Sequence, residues 1–212
     1  MSIQMTNLKY DKTFKIPYGG EILRYGIIWG NDKIVFIKAG VPKDVEEDNK
    51  KTKGKYVDKY LIMAHRVRNR IGATVICASN CDLSGEIQLE ADKLFIENVI
   101  LNKGFVNYEL HFVGTSDGGE HSLKLSQQFP KTVKFLGINS SWSTTDTFLD
   151  IIQSLPHVKK IFVYGAWDVD FDDIVPKLNA LACDNLEITV LDGVDHDFTD
   201  KVDDFIALVD LL

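Results

Sequence analysis

The chain has 212 residues, enough for one compact domain with a sizeable core, and its 45% hydrophobic and 26% charged residues are the balance of a globular protein rather than a disordered or fibrous one. A net charge of −7 with scattered basic residues argues against nucleic acid as a partner, and no apolar run approaches the ~20 residues that cross a bilayer. Cys77, Cys81 and Cys183 are an odd number in a chain too large to need disulfide staples, which points to reduced thiols.

The amino-terminal segment lacks the apolar core of a signal peptide, so a single domain over residues 1–212, cytoplasmic and without a membrane partner, is expected. Lys50, Lys51, Lys53 and Lys55 follow the acidic Glu46, Glu47 and Asp48, and that segment reads as a solvated loop. Cys77 and Cys81 have no second ligand pair, so no metal site is expected.

In chain order, Thr13 to Pro17, Glu21 to Trp29 and Ile34 to Ile37 read as strands separated by Gly19-Gly20 and Gly30-Asn31-Asp32, the turn chemistry of an antiparallel meander. Tyr56, Tyr60, Leu61, Ala64 and Val67 then recur at helical spacing and lead into the β-branched run Ala73 to Cys77. The alternation repeats: helix Leu94 to Leu101 before strand Glu109 to Val113, helix Leu123 to Phe129 before strand Val133 to Ile138, and helix Phe148 to Leu155 before strand Lys160 to Tyr164. A last unit joins helix Ile174 to Leu181, strand Glu187 to Leu191 and an amphipathic helix Val202 to Leu212. Such alternation predicts an α/β fold: a mostly parallel sheet with an antiparallel amino-terminal edge and helices on both faces.

In open sheets of this kind, reactive groups lie on loops beyond the carboxyl ends of the strands. Strand Glu109 to Val113 runs into Gly114-Thr-Ser116-Asp-Gly118, with a helical pattern starting near Glu120. A serine at a sharp strand-to-helix turn, flanked by glycines that let strand and helix approach, is the context of a nucleophile. The same Gly-rich turn suits a phosphate at a helix amino terminus, but it lacks both the Lys-Ser/Thr ending of a P-loop and the G-x-G-x-x-G spacing.

A nucleophilic serine needs a base and an orienting carboxylate. Asp168 follows strand Lys160 to Tyr164 closely, and the nearby Asp170 and Asp172 are in position to cap the helix that begins near Ile174. His196 follows the strand Glu187 to Leu191, whereas His65 lies in a helix, His111 in the nucleophile strand, His121 just after the turn and His157 before a strand. The order is Ser, Asp, His.

On these three motifs the chain resembles the α/β-hydrolase family over most of its length. The resemblance implies Ser116 as nucleophile, Asp168 as acid and His196 as base, with an oxyanion hole formed by the backbone N–H of Asp117 and a second N–H from the loop Lys38 to Pro42. Many relatives have His-Gly in that loop where this chain has Ala39-Gly40; Pro42 has no N–H, so Val41 is the expected second donor. The implied activity is hydrolysis of a small ester-like or amide-like acyl substrate with no metal and no cofactor. The alternatives are a non-catalytic binding protein on the same scaffold, or an acyltransferase, thioesterase or peptidase.

Only residues 139–158 separate the two strands between which larger relatives insert a lid, so no lid domain is expected. Trp142 in that interval either lines a substrate pocket or packs in the core. Asp117 either favours a cationic substrate group or serves the helix start.

Overall fold

The computed structural model describes residues 8–40, 59–80, 85–142 and 145–212. Val41, Cys81 and the Lys50 to Lys55 run lie outside the described residues. The β-branched and aromatic runs form β1 (Lys12–Tyr18), β2 (Glu21–Ile28), β3 (Asn31–Lys38), β4 (Ala73–Ala78), β5 (Glu109–Thr115), β6 (Thr132–Ile138), β7 (Lys159–Trp167) and β8 (Leu186–Asp195). The helically periodic runs form α1 (Lys59–Ile71), α2 (Gly85–Lys103), α3 (Asp117–Ser126), α4 (Thr145–Ser154), α5 (Phe171–Asn179) and α6 (Val202–Ala207), followed by a 3-10 turn over Leu208–Leu211.

The eight strands make one sheet in the order β1-β2-β4-β3-β5-β6-β7-β8. β1 pairs antiparallel with β2 and β2 antiparallel with β4, while every other pairing is parallel. Period-two alternation divides the core between two faces. Ile34 and Phe36 of β3 belong to the core layer that includes residues of α2, α3, α4 and α5, whereas Val35 and Ile37 belong to the layer that includes residues of α1 and α6. Each of these four side chains is fully buried, contributing on the order of 1.5–3 kcal/mol relative to exposure.

The expected three-strand antiparallel meander is corrected in its third member. β3 does not pair with β2; it lies between β4 and β5, parallel to both. The short link from β2 passes over the start of β4, where Gly30 N–H donates to Thr74 Oγ1 and Asn31 N–H to the Gly72 carbonyl. A Cβ at Gly30 would collide with the Gly72 and Ala73 carbonyl oxygens, so this turn works as a strand crossing rather than a hairpin.

Two boundaries matter for the site. α3 begins at Asp117, not near Glu120, because tertiary packing overrides the poor helix propensity of Gly118 and Gly119. β8 continues past Leu191 to Asp195 through an irregularity in its pairing with β7, which delivers His196 directly off the strand end. No helix among the described residues is long and apolar enough to cross a membrane.

Candidate active site

Ser116 stands between β5 and α3 with φ 52° and ψ −130°, a conformation that an L-residue adopts only when its surroundings enforce it. Ser116 N–H donates to the Ile138 carbonyl, and the Ser116 carbonyl accepts from Gly119 and Ser141. A Cβ at Gly114 would strike the Gly118 backbone, and one at Gly118 would strike the carbonyls of Lys38 and Ala39. The motif's glycines are therefore the points at which the helix crosses its own strand and the β3 loop.

The structure brings Ser116, His196 and Asp168 together from three separate loops. His196 Nε2 is 3.0 Å from Ser116 Oγ, and His196 Nδ1 is 2.7 Å from Asp168 Oδ2. A carboxylate only accepts, so Nδ1 carries the proton and Nε2 accepts from the serine hydroxyl. The Asp168 side chain is fully buried, and its other oxygen accepts from Asp170 N–H at 2.8 Å. The hydrogen bond to Asp168 raises the His196 pKa above its ordinary value against the opposing effect of burial, with the charges of Asp168, Asp197 and Asp170 adding to the rise.

Asp170 is not the imidazole's partner: it occupies the N-cap position of α5, and its Oδ2 accepts from Ser141 Oγ at 2.9 Å. Ligand atoms of Asp168, Asp170 and His196 lie within 4.8 Å of one another, close enough in principle for a metal ion. Asp168 and His196 are hydrogen-bonded to each other and Asp170 to Ser141, so these atoms are engaged with one another and with Ser141 rather than converging on a common point.

Asp117 is the first residue of α3, where a backbone N–H has no intrahelical acceptor. On the facing loop, Ala39 N–H donates to the Ala78 carbonyl and Gly40 N–H to Thr115 Oγ1 at 3.0 Å. Both are engaged, and Val41, the expected second oxyanion donor, lies outside the described residues. Trp142 stacks on Phe148 with ring centroids 3.9 Å apart and packs against the core. A largely apolar cavity of about 230 Å³ adjoins the same loop, lined among others by Tyr10, Phe14, Ile37, Ala39, Tyr60 and Cys77. The Tyr60 hydroxyl is 3.0 Å from Thr115 Oγ1, the residue preceding Ser116.

Sequence reasoning missed two anchors of the segment that carries His196. Asn139, at the end of β6 with φ 42°, donates to the Asp195 and His196 carbonyls at 3.1 and 3.0 Å and accepts from Gly165 N–H at 2.8 Å. It ties Gly165 of β7 to the segment that carries His196, and its only sequence signal is an Asn at a strand end, a residue type that tolerates the left-handed region. Phe198, also at positive φ, is buried edge-on against Phe205 of α6, fixing the chain two residues after His196.

No family model matches the chain, and no curated protein matches it. Solved structures do. An α/β serine hydrolase homologue from Coxiella burnetii superposes with a TM-score of 0.71 at 15% identity, covering 96% of this chain and 98% of that one. An esterase domain from a Rhodothermus marinus protein gives 0.67 at 14% identity, covering 94% and 95%. An α/β serine hydrolase without a lid from Xanthomonas campestris gives 0.61 at 15% identity, covering 97% and 95%. The fold is thus that of the α/β-hydrolases, over nearly the whole chain.

Proposed function

We propose that this protein is a serine hydrolase that cleaves a small ester-like or amide-like acyl substrate through an acyl-enzyme. The observation that carries this reading is the Ser116–His196–Asp168 relay, at 3.0 and 2.7 Å, on a serine held at positive φ. His196 Nε2 takes the Ser116 proton as Oγ attacks the carbonyl carbon, and the oxyanion is met by Asp117 N–H and, on this reading, Val41 N–H. The imidazolium, oriented by Asp168, returns the proton to the leaving group, which departs as an alcohol or amine. Water then attacks the acyl-enzyme, gives its proton to His196, and the acid leaves as Ser116 regains its proton.

Labelling with a fluorophosphonate probe, read by intact mass, tests the proposal. Wild type is expected to gain one adduct and Ser116→Ala none, with ester hydrolysis lost in parallel. Absence of labelling from neutral to mildly alkaline pH would overturn it.

A further inference from the structure

Behind the first turn of α3 lies a set of buried polar side chains that the acyl-transfer steps do not use. Lys38, the last residue of β3, and Asp92, within α2, are both fully buried and pair at 2.7 Å. The Asp92 carboxylate also accepts the Tyr25 hydroxyl at 2.7 Å and faces His121 Nε2 at 2.8 Å. Because a carboxylate only accepts, His121 carries a proton on Nε2 and donates it; burial and the Lys38 ammonium lower its pKa and favour the neutral ring. Lys38 Nζ donates further to the Ser79 carbonyl at 2.9 Å, just past the end of β4.

A buried ion pair of this kind is often no more stabilising than apolar side chains filling the same volume, so what it joins is more informative than what it adds to stability. Lys38 runs directly into Ala39-Gly40, whose backbone lies against the nucleophile: a Cβ at Gly40 would collide with Ser116 Cβ. His121 lies one helical turn beyond Asp117, on the same side of α3. Asp92 therefore holds, through one side chain each, the end of β3 and the opening of α3, the two segments that flank Ser116.

We propose that Lys38, Asp92 and His121 are positioning residues that set the spacing between Ala39-Gly40 at the end of β3 and the Asp117 N–H at the start of α3, on either side of Ser116, acting through these backbones without touching substrate. This inference rests on the hydrolase reading above.

The test compares His121→Gln, His121→Leu and the paired Lys38→Met/Asp92→Leu variant, which removes both charges together and strands neither. Active sites are counted by fluorophosphonate titration, and kcat and KM per titrated site are measured on a p-nitrophenyl ester. His121→Leu and the paired variant should lose about 10–100-fold in kcat with KM changed less than about 3-fold, because oxyanion contacts strengthen only in the transition state. His121→Gln, whose amide N–H can still reach Asp92, should recover kcat to within about 3-fold of wild type. If the paired variant fails to fold, the two His121 variants decide. A lower Tm with unchanged kcat per titrated site in every variant would overturn the positioning role and leave the hydrolase reading standing. A wild type that neither labels nor hydrolyses would overturn both.

Discussion

The His196 imidazole sits between a hydroxyl that donates and a carboxylate that accepts, and its working pH follows from the second. On the proposed mechanism only the neutral ring takes the Ser116 proton, and a pKa raised above 6.5 keeps the ring protonated to higher pH. The acid limb of kcat/KM should therefore have its midpoint above 6.5, rising with pH to a plateau. Asp168→Asn removes the largest cause of the rise and destabilises the Nδ1–H tautomer; hydrolysis should fall by about 10³–10⁴ at neutral pH, with any residual acid limb displaced downward. Asn139→Asp is nearly isosteric yet turns two donors into acceptors facing the Asp195 and His196 carbonyls. Displacing the His196 segment in this way should, on the proposed mechanism, lower kcat by about 100-fold, visible in ester hydrolysis by correctly folded protein. Ser116, Asp168 and His196 were legible in the sequence because each follows a strand closely; Asn139 was not, because its partners, Gly165 and the Asp195 and His196 carbonyls, lie 26, 56 and 57 residues away along the chain.

At the level of the element, α3 is held by close backbone approach rather than by its own propensity. Gly118 sits where any side chain would meet the Lys38 and Ala39 carbonyls, and Gly119 where one would meet Ser140. Gly118→Ala must push the helix start from the β3 loop. It should cost about 1–3 kcal/mol in urea unfolding and slow fluorophosphonate labelling of Ser116 more than it destabilises the fold. The same crowding explains why the helix starts three residues before the sequence pattern suggested: the Asp-Gly-Gly opening carries no helical signal, and the turn forms because it is packed. β8 likewise outruns its Val- and Ile-rich stretch, since its last residues pair with β7 only beyond an irregularity at Gly165 to Trp167.

Across the whole molecule, stability is coupled to pH through a histidine remote from the chemistry. His111 is buried toward the amino end of β5, and burial, then the charges of Lys33 and Lys134, lower its pKa to about 4 against the smaller pull of Glu109. The unfolded chain binds this proton near 6.5, so between about 4 and 6.5 unfolding takes up a proton and stability falls as pH falls. This contribution, at most on the order of 3 kcal/mol, is fully present above 6.5 and gone below about 4. Urea unfolding across that range should show the slope in wild type and a shallower one in His111→Leu.

The sequence by itself determined what is local. Strand and helix periodicities, the Gly-flanked serine and the chain order of Ser116, Asp168 and His196 sufficed for an α/β sheet and for a set of candidate residues at one end of it, because each signal spans only a few neighbouring positions. Only the tertiary structure decided the place of β3, whose link reads as a hairpin turn but crosses β4. Only it paired Asp92 with Lys38 and His121, 54 and 29 residues away along the chain. A buried charge cannot be told from a surface one by composition; its partners are chosen by the packing that removes it from water.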